Sequence, residues 1–455
     1  MIKVCDSMMG SGKSSACINY MNEHPEQKFI YITPYTDESK RIRKACPKLR
    51  FVEPSEKNKD GGYSKSGHTA ALIAEGRNIT STHQCFKYYT PNMLDSIRRG
   101  EYTLMIDENV EVLEACDDIS PGDLETMMSA GHIVMLDDGI HLTEKEYHGV
   151  AFRRFVRLLK SRHLIENQAA GQKCFYWALP ADLLMAFKEV VIMTYMFNGS
   201  DMYYYLRMQG LEYENIGVVH DERGYHFSNA VAGVQPPRDL KEKIHICQRR
   251  SRNSIGEDYH ALSMHWFKKA ESNLKKAKDG KSGDEDEQDE QDEQQQPELD
   301  STAEQGPDAE RLRKNLYNWF INDNRKQPEK KRLWATVGDS HGLLRTAGVW
   351  NNNLVFNSRA TNNYADRTVL AYPVNVFVNV DKKKYYARQG IIFNEDRYAL
   401  STMIQWIWRS AIRNGEEIWI YIPSRRMREL LQGWLNGLAS EEAAATPPAE
   451  GRCIA

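Results

Sequence analysis

The chain has 455 residues, 41% of them hydrophobic and 10% aromatic, and a formal net charge of −3. That length suits two or three domains with real cores, and the lack of any run of eighteen apolar residues excludes a transmembrane helix. The eight cysteines are scattered with no Cys-x-x-Cys pair, which argues against a disulfide framework and a structural zinc site. A reducing cytoplasm fits, and no basic-then-apolar leader is evident at the N-terminus.

In chain order, the first predicted element is a short strand, Ile2-Lys3-Val4-Cys5. It runs into Asp6-Ser7-Met8-Met9-Gly10-Ser11-Gly12-Lys13-Ser14. Gly10 and Gly12 let the backbone curl so that its N–H groups converge on phosphate oxygens. Lys13 supplies a point charge for β- and γ-phosphates, and Ser14 offers a hydroxyl to Mg²⁺. Ser15 to Met21 suits a helix whose N-terminus faces the phosphates. Gly10, Ser11, Gly12, Lys13, Ser14 and Ser15 are therefore the expected nucleotide-binding set. The bland alternative is a chance Gly-rich turn before a helix.

Strands are predicted at Lys28–Ile32, Leu104–Ile106, His132–Leu136 and Val190–Met193. Their alternation with helical stretches implies a parallel sheet with helices on both faces. The run Tyr102-Thr103-Leu104-Met105-Ile106 ends in Asp107-Glu108-Asn109-Val110. Open α/β sheets place their chemistry at such strand ends. Asp107 would belong to a Mg²⁺ shell and Glu108 would position an attacking water. Taken alone, the segment also reads as an ordinary strand end with acidic turn residues.

Helices are predicted at Tyr259–Lys278 and Ala309–Ile321, flanking a low-complexity acidic insert. Residues 284–310 carry thirteen Asp or Glu and no Lys or Arg, and taking these from the net charge of −3 leaves +10 on the rest. The insert cannot bury enough apolar surface to order and reads as a disordered surface insertion. It serves either as a solubilising linker or as a mimic of nucleic acid. The basic remainder is compatible with a polyanionic partner or with a plain solvated surface.

A second alternating region has strands at Leu333–Val337, Asn353–Phe356 and Glu417–Ile422, and helices at Asp396–Arg413 and Arg425–Leu438. In the first of these helices Leu400, Met403, Ile404, Ile407, Trp408 and Ala411 make an apolar stripe. Gln405, Arg409 and Arg413 would share another ridge, where arginines can meet a γ-phosphate. A polar surface ridge is the alternative. The tail from Ala439 to Ala455 is expected to be loose.

The order Gly-Ser-Gly-Lys-Ser, Asp-Glu-Asn-Val and Gln405…Arg409…Arg413 resembles motifs I, II and VI of superfamily 2 helicases, most of all the small helicases of tailed bacteriophages. Thr33-Pro34, Thr82-His83, Met193-Thr194-Tyr195 and Arg359-Ala360-Thr361 fall where that family has motifs Ia, the segment before motif II, III and V. The chain departs from the family at Trp408, where motif VI has Gly, and at Arg413, one residue late. The resemblance implies two RecA-like P-loop domains, over 1–215 and 216–438, with the insert at 281–310 in the second and a flexible tail after it. It implies ATP and Mg²⁺ as ligands, with Lys13, Asp107, Glu108, Gln405, Arg409 and Arg413 catalytic and Ser14 and Asp107 at the metal. Single-stranded nucleic acid, DNA by expectation, would touch Thr33, Pro34, Thr82, His83, Arg359 and Thr361. Thr82 and His83 read equally well as a strand-end cap and a satisfied core histidine. A monomeric cytoplasmic helicase or translocase is the expected function. A phage packaging-type motor and a non-motor P-loop regulator are the rival readings.

Overall fold

The computed structural model describes residues 1–56, 64–116, 119–136, 139–169, 172–230, 233, 236–237, 239–279, 308–345, 351–358 and 363–440. The acidic insert between 280 and 307, the expected contacts Arg359 and Thr361, and the tail from 441 onward lie outside the described residues. The chain forms two compact units, Met1–Gln235 with Val378–Ser401, and Pro236–Phe377 with Thr402–Ala455. Both are α/β, as the alternation implies. The first unit runs on past 215 because the strand from Tyr213 pairs with the first strand of the chain. It also takes back the segment after Val378, which the linear division at 215/216 assigns to the second.

In the first unit the strands are β1 (Ile2–Asp6), β2 (Phe29–Thr33), β3 (Ile79–Thr82), β4 (Thr103–Asp107), β5 (Leu113–Ala115), β6 (Ile133–Leu136), β7 (Gly139–Leu142), β8 (His163–Ala169), β9 (Gln172–Ala178), β10 (Glu189–Thr194), β11 (Tyr213–Asp221) and β12 (Gly224–Ser228). Seven make the main sheet, in the order β12-β11-β1-β10-β4-β2-β3. Every pairing in it is parallel except the β11–β12 hairpin. Central strands of such a sheet are apolar on both faces. Val4, Ile30, Ile32, Leu104, Ile106, Val190 and Ile192 fill one core. Cys5, Phe29, Tyr31, Met105, Val191 and Met193 fill the other, against helix α1 (Lys13–Glu23). Each fully buried aliphatic side chain contributes roughly 1.5–3 kcal/mol.

The remaining strands form a separate antiparallel sheet, β5-β9-β8-β7-β6, with its own core around Leu124, Ile133, Ile140, Phe155, Leu164 and Trp177. His132–Leu136 is therefore not a buried strand of the parallel sheet. Val134, Met135 and Leu136 are 39%, 39% and 51% exposed on the sheet edge. The physical reason lies in connection length. Two residues separate β6 from β7 and two separate β8 from β9, far short of the dozen or so a parallel crossover needs.

The returning segment docks on the first unit through an aromatic and charged cluster. Tyr204 stacks on Phe393 at 3.9 Å. Tyr386 donates to Asp201 at 2.8 Å, and Lys382 pairs with the same carboxylate at 2.9 Å.

The second unit holds β13 (Ile244–Ile246), β14 (Arg332–Thr336), β15 (Asn353–Val355), β16 (Val369–Ala371) and β17 (Ile418–Tyr421). Its sheet, β13-β17-β16-β14-β15, is parallel throughout. Trp334, Trp406, Tyr372 and Tyr421 are fully buried in it. Tyr421 donates to the Arg252 carbonyl at 2.6 Å, and Trp319 Nε1 donates to the Leu370 carbonyl at 2.8 Å. The predicted helix over 259–278 starts at Met264, and that over 309–321 passes into a π-helix at Asn318–Asp323. Among the described residues no helix is long and apolar enough to cross a membrane.

Candidate functional site

The site of the first unit gathers at the C-terminal ends of its parallel strands. β1 ends at Asp6, and the chain turns through Gly10 (φ 84°) and Gly12 (φ 91°) into α1. Both angles lie in the left-handed region that glycine enters without steric cost. Gly12 carries the turn into the helix, its carbonyl accepting from Ala16 N at 2.8 Å. Lys13 folds back over the loop and donates to the Ser7 and Met8 carbonyls, the second at 2.8 Å. Burial pushes the Lys13 ammonium pKa down, while the charges of Cys5, Asp107, Glu108 and Asp6 act the other way. A desolvated ammonium ringed by acidic groups, beside a loop of backbone N–H groups, is equipped to hold an anion.

The carboxylates stand two strands away. β10 separates β1 from β4, and its end binds both neighbours. The Thr194 carbonyl accepts from Ser7 N at 3.0 Å, and the Met193 carbonyl accepts from Glu108 N at 2.9 Å. Asn109 Nδ2 donates to the Thr194 hydroxyl at 2.9 Å, and this bond is buried. The polar third residue of Asp-Glu-Asn-Val is thus coupled to Thr194 at the end of β10, a link visible only once β10 and β4 are neighbours.

Glu108 sits at φ 62°. A left-handed glutamate is an uncommon conformation, costing about 1–3 kcal/mol, of the kind that accumulates at functional sites. The Asp107 carboxyl is pushed up to about 7 by burial, then by the charges of Glu108 and Glu38, with Lys13 opposing. A divalent cation would relieve that crowding. The donors available are the Ser14 hydroxyl and the Asp107 carboxylate, a sparse protein set of the kind Mg²⁺ accepts when phosphate oxygens and water complete its shell. Among the described residues no group of three or more His, Cys, Asp or Glu side chains could hold a metal alone.

The expected nucleic-acid contacts fare unequally. Thr33, at the end of β2, is 0% exposed, so its side chain cannot reach a surface strand. Pro34 beside it is half-buried. Thr82 caps the helix His83–Phe86, its hydroxyl accepting from Cys85 N at 3.3 Å. His83 Nε2 lies 3.0 Å from the Asp107 carbonyl. A carbonyl only accepts, so this nitrogen carries the proton. Both residues therefore have structural partners, and His83 ties the end of β3 to the acidic turn.

Gln405, Arg409 and Arg413 lie in the second unit, and they do not share a helical ridge. The helix Glu395–Ile407 ends before Arg409, and Arg413 belongs to a 3₁₀ turn over Ala411–Asn414. The bonds of Arg409 N to Trp406 O (3.0 Å) and Ser410 N to Ile407 O (3.0 Å) tighten the last turn. The Ser410 hydroxyl donates to Ile407 O at 2.6 Å. The N–H of Ala411 is then taken by the Arg367 carbonyl at 2.9 Å, which draws the chain out of the helix. Arg409 is 5% exposed. Burial and the neighbouring Arg409 charge both push the Arg413 pKa down. The two guanidiniums are thus near enough to repel, an arrangement an anion stabilises.

The family described as the YonV C-terminal Rossmann-like domain matches residues 238–435. The SPbeta prophage-derived uncharacterized protein YonV of Bacillus subtilis (strain 168) is 36% identical over 450 residues, which cover 95% of this chain and 98% of that protein. Among solved structures, S. tokodaii Xpd4 aligns with 97% of this chain and 95% of its own, at 10% identity and a TM-score of 0.46. The chain therefore belongs to the family of the prophage-derived protein YonV, and its residues 238–435 match that family's Rossmann-like C-terminal domain.

Proposed function

We propose that this protein is an ATP-dependent nucleic-acid helicase or translocase, with single-stranded DNA as its track. The observation that carries the reading is the order of β1, β10 and β4, which brings the loop of Lys13 and the turn of Asp107 and Glu108 to neighbouring strand ends, with Thr194 bonded to Ser7 of the one and Asn109 of the other. The loop N–H groups and Lys13 bind and orient the phosphates. Ser14 and Asp107 would hold Mg²⁺, which would supply neutralisation of phosphate charge. Glu108 orients the attacking water. Arg409 and Arg413 respond to the γ-phosphate, in the manner of arginine fingers. His83 passes changes at the acidic turn to the end of β3, and Thr82 there and Pro34 after β2 belong to the track surface.

The test is the ATP hydrolysis rate with and without single-stranded DNA, duplex DNA and RNA, for wild type, Glu108→Gln and Arg409→Ala. Strong stimulation by one nucleic acid, lost in both variants, is expected. A rate indifferent to nucleic acid that survives Arg409→Ala would overturn the motor reading and favour a non-motor P-loop protein.

A further inference from the structure

On one side of the phosphate loop lie the β10 and β4 ends with their carboxylates, and on the other the β11–β12 hairpin. A nucleoside triphosphate whose γ-phosphate and metal face Asp107 and Glu108 must direct its ribose and base away from them, toward the hairpin. Two aromatic rings occupy that side. His220 and Tyr225 are direct cross-strand partners, so their side chains share one face. Their ring centroids are 4.3 Å apart at an interplanar angle of 43°.

Tyr225 lies directly on the loop. A β-carbon built on Gly12 would be 2.2 Å from its Cδ1 and 2.4 Å from its Cε1. The bare Gly12 thus serves two ends, the left-handed turn and the close approach of this ring. The ring is also fixed relative to the loop, because Asn19 of α1 donates to the Tyr225 carbonyl at 2.8 Å. Tyr225 is half-buried and His220 exposed, so the pair presents an aromatic shelf to solvent beside the phosphate loop.

We infer that His220 and Tyr225 form the nucleobase platform of this site. The inference rests on the nucleotide reading of the loop and adds to it the class of base that is accepted. Stacking recognises ring area rather than a hydrogen-bond pattern. ATP and GTP therefore bind comparably, and CTP and UTP more weakly.

The test is equilibrium binding of ATP, GTP, UTP and inorganic tripolyphosphate, each with Mg²⁺, to the full chain and to Tyr225→Ala, Tyr225→Phe, His220→Ala and Lys13→Ala. Tyr225→Ala should weaken ATP and GTP about tenfold or more, as loss of base stacking does. Tripolyphosphate, which has no base, should be unaffected, and Tyr225→Phe should retain wild-type affinity. Equal weakening of ATP and tripolyphosphate would overturn the platform, since the ring would then only prop the loop. Unchanged ATP affinity in Tyr225→Ala and His220→Ala would overturn it as well. If Lys13→Ala leaves both ATP and tripolyphosphate binding unchanged, the nucleotide reading itself fails and the platform with it.

Discussion

Replacing Asp107 by Asn should stabilise the metal-free protein at pH 8. Burial, Glu108 and Glu38 push the Asp107 carboxyl from 3.8 up to about 7. Each pH unit between folded and unfolded values corresponds to about 1.4 kcal/mol, so ionising this group in the folded protein costs at most about 4 kcal/mol. The side chain keeps some solvent contact, so a gain of about 1–2 kcal/mol is the expected size. The folded pKa lies above the unfolded one. Asp107 therefore favours folding below pH 4, and that contribution disappears as the pH rises through 7. Asn has nearly the same shape and no charge to lose. Thermal or urea unfolding without divalent cations, at pH 4 and pH 8, measures the difference. Near-equality is expected at pH 4, and at pH 8 a rise in Tm of roughly 2–8 °C. A variant less stable than wild type at pH 8, or a difference independent of pH, would refute the electrostatic account of the acidic turn.

Asn109→Ala should cost about 1–3 kcal/mol, because it leaves the Thr194 hydroxyl buried without its donor; a double-mutant cycle with Thr194→Val should be strongly non-additive in unfolding experiments. Gly12→Ala should lose about 1–3 kcal/mol from the left-handed backbone alone, and melting curves should show Tyr225→Ala restoring only the part due to the ring clash. Lys382→Ala takes the ammonium from the Asp201 carboxylate, leaving Tyr386 as its remaining side-chain donor among the described residues, and should destabilise the first unit by about 3 kcal/mol; hydrogen exchange should report loosening of Val380–Arg388 first. In the second unit, Arg426 donates to Asn375 and to the Val376 carbonyl and lies 4.5 Å from the Phe377 ring centroid. Arg426→Lys should still cost about 1–2 kcal/mol in unfolding measurements, since an ammonium cannot reproduce the planar fork.

The parts legible in the sequence are those whose information is local. Strand, Gly-rich turn and helix at 2–21 follow from a few adjacent residues, because left-handed turns demand glycine and the helix begins where the turn releases the chain. The apolar runs that became β2, β4, β10, β14 and β17 are legible for the same reason, since a strand buried on both faces has few polar positions. The tertiary structure decided the rest through contacts between residues far apart in the chain. Whether 132–136 joins the parallel sheet was settled by two-residue connections that only antiparallel pairing can use. The ridge of Gln405, Arg409 and Arg413 is broken by a carbonyl from Arg367, which no helical periodicity reveals. The Asn109–Thr194 bond and the Tyr225 ring on Gly12 exist because sheet order brings β10 beside β4 and β11 beside β1. The sequence by itself determined which chemistry the loop can perform, since that chemistry resides in the loop's own backbone angles and its one lysine. Folding alone determined which carboxylates, rings and partners stand around it, because those are chosen by strand order.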